Sequence, residues 1–155
     1  MRKLVAITSS LLIALSLAAC SGKSSASSSQ ESTKVEVGSD CAPSDATKVL
    51  DVVTKQVSAL KDQDMELAYT FATKAFSDVV DVKTFYNILL SSYTSLLINE
   101  SVEYGLCTVA DQGFNQIVMI KSKSKLERMD FGVLNEDGRY GVNKVEIFST
   151  QAIAG

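Results

Sequence analysis

The apolar positions of this chain change period near its middle. Val49, Val53, Val57 and Leu60 recur at spacings of three and four, with Ala46 and Leu50 beside them. That is the stripe of an amphipathic helix. Pro43, Ser44 and Asp45 supply start chemistry just upstream. Asp62-Gln63-Asp64 breaks the stripe, and either aspartate can cap the next helix. Leu67, Ala68, Phe71, Ala72 and Ala75 predict a second, short helix, and Asp81 is a good N-cap for a third. In the third, Phe85, Ile88, Leu89, Ser92 and Leu96 share one face, while Tyr86, Leu90, Tyr93 and Leu97 widen the apolar surface. A helix this apolar is expected to lie sandwiched between other layers.

After residue 100 the period becomes two, the mark of half-buried strands. Ser101 to Ala110 predicts a strand with Val102, Tyr104 and Leu106 on one side and Cys107 and Val109 on the other. Phe114 to Ser122 comes after a turn at Asp111-Gln112-Gly113. Leu126 to Leu134 is the third strand, with Met129, Phe131 and Val133 toward the core. Asn135-Glu136-Asp137-Gly138 is a hairpin turn. In the fourth strand, Tyr140 to Phe148, the apolar parity slips at Asn143 and Lys144, where a β-bulge would restore it. Three helices followed by an antiparallel meander predict an α+β fold, with the helices packed on a curved four-stranded sheet.

The first forty residues read differently. Arg2 and Lys3 precede an apolar stretch from Leu4 to Leu17, which runs into Leu17-Ala18-Ala19-Cys20. The stretch is shorter than the roughly 20 residues of a membrane-spanning helix. It resembles a bacterial lipoprotein signal peptide with its lipobox. The resemblance implies cleavage between Ala19 and Cys20, a diacylglycerol thioether on Cys20 and a further acyl chain such as palmitate on its amine. Two or more chains anchor a protein stably, whereas one does not. The serine-rich run Ser21 to Asp40 has too little apolar surface to fold and reads as a flexible tether. The expected organisation is a signal peptide at 1–19, a lipidated cysteine and tether at 20–42, one α+β domain at 43–150 and a disordered tail at 151–155. The partner implied at the N-terminus is a cell membrane or outer membrane, with the domain facing the periplasm or the extracellular side.

Composition then narrows the chemistry. The chain has no histidine. That removes the usual general base, the partner of most catalytic nucleophiles and the commonest zinc ligand. Loss of Arg2 and Lys3 with the signal peptide takes the formal charge from −3 to −5. A net acidic domain argues against nucleic acid as a partner. Neither a metal site nor a cofactor is expected. Cys41 and Cys107 are left after lipidation. Outside the cytoplasm they are free to oxidise, and a disulfide between them would pin the start of the domain onto the sheet.

Three segments carry a family likeness. "VLDVVTKQVSALKDQDMELAYTFATKAF", "FYNILLSSYTSLL" and "EDGRYGVNKVEIF" resemble the nuclear-transport-factor-2-like superfamily, which includes SnoaL-like cyclases and ketosteroid-isomerase-like proteins. The nearest likeness is to uncharacterised bacterial members described only as domains of unknown function. The resemblance implies a cone: a curved sheet wrapped on helices, with a pocket at the open end. It also implies self-association through the sheet, since cone-shaped relatives often dimerise that way. The Tyr-Asp arrangements of the isomerase-like enzymes are not recognisable at matching positions here.

Tyr86, Tyr93, Tyr104, Met119 and Tyr140 are the candidates to line a cavity between the third helix and the sheet, since a tyrosine combines apolar area with one hydrogen bond. Such a cavity would suit a small amphipathic ligand. Asp62, Asp64, Glu66, Asp78 and Asp81 are the densest acidic group, and their places at helix ends favour capping over catalysis. Ser58 and Lys61 match a serine–lysine spacing, but on the polar side of the first helix. Lys121, Lys123 and Lys125 alternate around a hairpin and read as a solvated end. The expected role is a non-catalytic, membrane-anchored domain that binds a small ligand or an envelope protein. The alternative is an isomerase- or cyclase-like enzyme using an Asp/Glu–Tyr pair.

Overall fold

The computed structural model describes residues 36–153. The expected signal peptide, Ala19–Cys20 cleavage site, lipidation at Cys20 and tether up to residue 35 lie outside the described residues. Among the described residues five helices precede four strands: α1 (Pro43–Lys61), α2 (Met65–Thr70), α3 (Lys74–Ser77), α4 (Val82–Ser92), α5 (Thr94–Leu97), β1 (Ser101–Val109), β2 (Phe114–Lys121), β3 (Lys125–Glu136) and β4 (Arg139–Ala152). The strands form one antiparallel sheet in the order β1-β2-β3-β4. The helices pack on one of its faces, so the architecture is the expected α+β layer of helices on a four-stranded sheet.

Two of the three expected helices are each divided in two, for tertiary reasons. The second breaks at Phe71–Thr73 because this backbone pairs with the last strand. Val142 N donates to Phe71 O at 2.8 Å, and Thr73 N donates to Val142 O at 3.0 Å. Gly141 permits the approach, since a Cβ there would stand 3.0 Å from Thr73 N and Cα. Thr73 then caps α3 by accepting from Phe76 N. The third helix breaks at Tyr93, whose φ of −130° and ψ of 33° leave the helical region. Its upper half is not sandwiched. Phe85 and Leu89 of α4 are buried, but Tyr86 and Leu90 face solvent.

The core is a seam between the sheet and α1. Val49, Val53, Val57 and Leu60 meet Val118, Ile120, Met129, Phe131 and Val133, all at or near zero exposure. Burying each such side chain contributes about 1.5–3 kcal/mol. Three irregularities keep the apolar residues on this inner face. In β1 the register slips between Tyr104 and Cys107, so that Gly105 and Leu106 together oppose Ile117. Cys107 therefore joins Val102 and Tyr104 against the core, while Leu106 turns outward and is 65% exposed. This reverses the sides expected for Leu106 and Cys107. In β4, Asn143 is left over between the pairs Gly132–Lys144 and Val133–Val142. Phe148 is left over in the same way between Arg128–Ser149 and Met129–Ile147. The bulge at Asn143 is where the polarity slip placed it. Bulges bend and twist a strand, which curves the sheet around the helices.

The margins of the domain lie beyond those read from sequence. Residues 36–41 are not tether but part of the fold. Gly38 N donates to Val109 O, Val109 N to Ser39 O, and Cys41 N to Cys107 O. Cys41 and Cys107 are joined by a disulfide, with their Cα atoms 5.5 Å apart. At the other end β4 continues through Gln151 and Ala152, which pair with Leu126 and Lys125 of β3. Those two residues belong to the sheet rather than to a tail, because the long β3 offers them backbone partners.

Candidate functional site

Where the divided helices lean on the second half of the sheet, a half-open cleft of about 230 Å³ remains. Gln56 and Leu60 of α1, Phe76 of α3 and Phe85 and Leu89 of α4 line its walls, with Leu96 of α5. Val142, Asn143, Lys144 and Val145 of β4 close the other side. Phe76 meets Phe85 edge-on at 6.1 Å, and Tyr69 tilts against Phe85 at 5.7 Å. These ring contacts hold the apolar wall in a fixed shape.

The β4 bulge builds the polar side. Asn143 Oδ1 accepts from the Thr73 hydroxyl at 3.1 Å. Tyr93 donates its hydroxyl to Val145 O at 2.7 Å, which closes the end of the cleft and spends its proton. Lys144 stands at the mouth, paired with Glu146 at 2.8 Å. Gln56 is only 3% exposed, and its Nε2 donates to Ala68 O at 3.2 Å. Among the described residues that line it there is no carboxylate or thiol, and the single hydroxyl is the engaged Tyr93 phenol.

Of the five residues chosen as cavity lining, Tyr93 alone reaches this cleft. Tyr86 lies on the outer side of α4 and is 41% exposed. Tyr104 packs at the inner face of β1, across from Val118. Met119 is on the opposite face of β2 from the buried Val118 and Ile120, so the strand's period of two turns it away from the helices. Tyr140 stacks on Phe114 at 5.9 Å and donates to Asp45 Oδ1 at 2.6 Å. That pair does join an aspartate to a tyrosine, but neither residue lines the cleft. Asp45 holds the Tyr140 phenol above its ordinary pKa of 10.0, because a phenolate would lose the hydrogen bond and meet a like charge.

Gln56 was missed, and its signal was present. It occupies a core register of α1 between Val52, Val53 and Leu60, where an apolar residue is the default. Two of the five acidic candidates cap helices with their side chains. Asp64 accepts from Leu67 N and Asp81 from Thr84 N. Asp78 pairs with Lys74. Ser58 and Lys61 are both exposed.

A second polar group lies under α5. Glu127 is 2% exposed on the inner face of β3, bonded to Lys125 Nζ at 2.8 Å and to Thr150 Oγ1 at 3.4 Å. Burial pushes its carboxyl up, but Lys125, Ser95 and Thr150 outweigh that, and the pKa lies below the ordinary 4.5. The Ser95 hydroxyl is near enough to contribute, yet off the geometry of a direct hydrogen bond. Among the described residues no group of three or more acidic or thiol side chains is placed to hold a metal ion, and no helix is long and apolar enough to cross a membrane.

These features define an α+β domain with an apolar, half-open cleft between its helices and its bulged edge strand. Residues 42–153 match the family described as a domain of unknown function (DUF4864), and the chain belongs to that family. No curated protein and no solved structure matches it.

Proposed function

We propose that this protein is a lipid-anchored, extracytoplasmic binding domain, and that the cleft beside α4 receives a small ligand. The observation that carries the ligand reading is the cleft itself. It is apolar, walled by fixed aromatic rings and fitted with a few polar groups, the usual make-up of a small-molecule site. Among the described residues its lining has no carboxylate or free nucleophile, which favours binding over turnover. Anchoring is supported by Arg2-Lys3, the apolar stretch and Leu17-Ala18-Ala19-Cys20. The likeness to the nuclear-transport-factor-2-like cone is supported by the element order and by a curved sheet with helices on one face.

Native mass spectrometry of the detergent-extracted protein tests the ligand reading. A co-purifying small molecule is expected, and Leu89→Trp, which fills the cleft, should displace it. For the anchor, wild type should incorporate labelled palmitate and sediment with membranes. Cys20→Ala should do neither, and equal labelling of the two would refute lipidation.

An enzyme on the same fold is the second reading, because Asp45 and Tyr140 are within hydrogen-bond distance. It predicts a substrate at that pair, away from the cleft. Self-association through the sheet is supported by the exposed Leu106 and Phe148. Analytical ultracentrifugation of the detergent-solubilised chain separates monomer from dimer.

A further inference from the structure

We infer that the cleft selects a small apolar ligand carrying one hydrogen-bond donor, a hydroxyl or an N–H, which the side-chain oxygen of Gln56 receives. The inference rests on the reading of the cleft as a ligand site and adds the polarity of what it takes.

Gln56 is buried, lines the cleft, and has its amide nitrogen committed to Ala68 O. That bond fixes which end of the amide is nitrogen, since the Ala68 carbonyl can only accept and the amide oxygen has no proton to give. Oε1 then has no hydrogen-bond partner among the described residues. Nor is it sealed in: among the described residues the fully buried side-chain atoms without a partner are Ser95 Oγ, Asn99 Oδ1 and Glu127 Oε2, and Gln56 Oε1 is not one of them. It is an accessible acceptor on an otherwise apolar wall.

The other polar groups of the cleft are already engaged: Asn143 Oδ1 accepts from Thr73, and the Tyr93 phenol gives its proton to Val145 O and keeps only acceptor capacity at the end of the cleft. Lys144 offers only N–H donors. A buried acceptor left unmatched costs about 1–3 kcal/mol, so a ligand that supplies the matching donor is favoured over one that does not. Size sets the other limit. An apolar cavity of about 150 Å³ accommodates benzene. A cleft of about 230 Å³ has room for a substituted ring or a short branched chain.

The test compares three probes of one shape on the detergent-solubilised full chain: p-cresol, 4-methylanisole and toluene. Binding is read by calorimetric titration against a detergent blank and by the rise in Tm. The inference expects p-cresol to bind about tenfold more tightly than either of the others, and Gln56→Leu to erase that preference. A cleft indifferent to donors gives the opposite order, because a hydroxyl must be stripped of water to enter. Toluene binding as well as p-cresol therefore overturns the inference and leaves the cleft standing as a ligand site. Failure of all three probes to bind overturns the ligand reading itself. Should Gln56→Leu not fold, Tyr93→Phe decides: it keeps the preference for p-cresol if Gln56 is the acceptor, and loss of the preference there overturns the inference.

Discussion

The phenol of Tyr140 donates to Asp45 across 95 positions of sequence, at 2.6 Å, and so ties the start of the last strand to the first turn of α1. Phe114 stacks on the same ring, and Lys48 Nζ stands 5.3 Å from its centre. The pair thus fastens the helical layer to the hairpin end of the sheet, apart from the cleft.

Tyr140→Phe is expected to cost about 1 kcal/mol, at the low end for a bond to a charged group because both side chains are partly in water. Urea denaturation measures it. The pH dependence has a definite sign. The phenol is raised in the folded state, so its contribution is full below pH 10.0, the ordinary value, and is lost as pH rises toward the folded value. The alkaline limb of the wild-type stability curve should therefore be steeper than that of Tyr140→Phe. Identical limbs would show that the bond is absent in solution.

Reduction of Cys41–Cys107 should lower stability by about 4 kcal/mol, from the chain entropy of a loop with a separation of 66 residues. Thermal melts with and without reductant give the difference, and Cys41→Ser with Cys107→Ser should melt like the reduced protein. Hydrogen exchange at Gly38 and Cys41 should rise in both, since their amides bond to the strand that the disulfide holds. An unchanged Tm on reduction would rule the bridge out.

Glu127 predicts the acid limb. Its carboxyl is lowered in the folded state, so its contribution is present above pH 4.5 and fades as pH falls through that value toward the folded one. Lys125→Ala removes the closest cation and leaves a buried charge poorly matched, which should destabilise the fold by about 1–2 kcal/mol at pH 7. The loss should be largest at neutral pH and shrink near pH 4, where the carboxyl can take a proton instead. A loss that is constant across this range would assign the effect to packing by the lysine stem.

Gly113→Ala should be among the most damaging single-methyl changes outside the core. Its φ of +81° disfavours any side chain, and a Cβ there would run into the carbonyl oxygen of Val133. A loss of about 1–3 kcal/mol is expected by chemical denaturation. Gly138→Ala is the control. It shares a positive φ but meets nothing within 4 Å, and should lose less.

The class of fold was readable because it depends on local period. Valines at helical spacing in α1 and alternating apolar residues in β3 state which face is buried, and tertiary structure only had to agree. The same holds for the caps at Asp64 and Asp81 and for the Asn143 bulge, each of which is a short-range conflict between polarity and period. The type of turn at Asp137-Gly138 was likewise local, and both residues have positive φ.

Everything about the cleft was decided at longer range. Tyr86, Tyr104, Met119 and Tyr140 are as aromatic or apolar as Tyr93, and nothing nearby in sequence says which will face an opening. That choice depends on where Phe71–Thr73 docks on Val142, which divides one helix, and on the bend at Tyr93, which divides another. The sides of Cys107 and Leu106 were set by a bulge whose freed carbonyl, Gly105 O, is taken by Gln116. The sequence by itself determined the layers, the strand order and the starts of α1, α2 and α4, because those arise from patterns a few residues long. Only the tertiary structure determined the cleft, its unpaired acceptor at Gln56 and the true ends of the domain, because each depends on contacts between segments far apart in the chain.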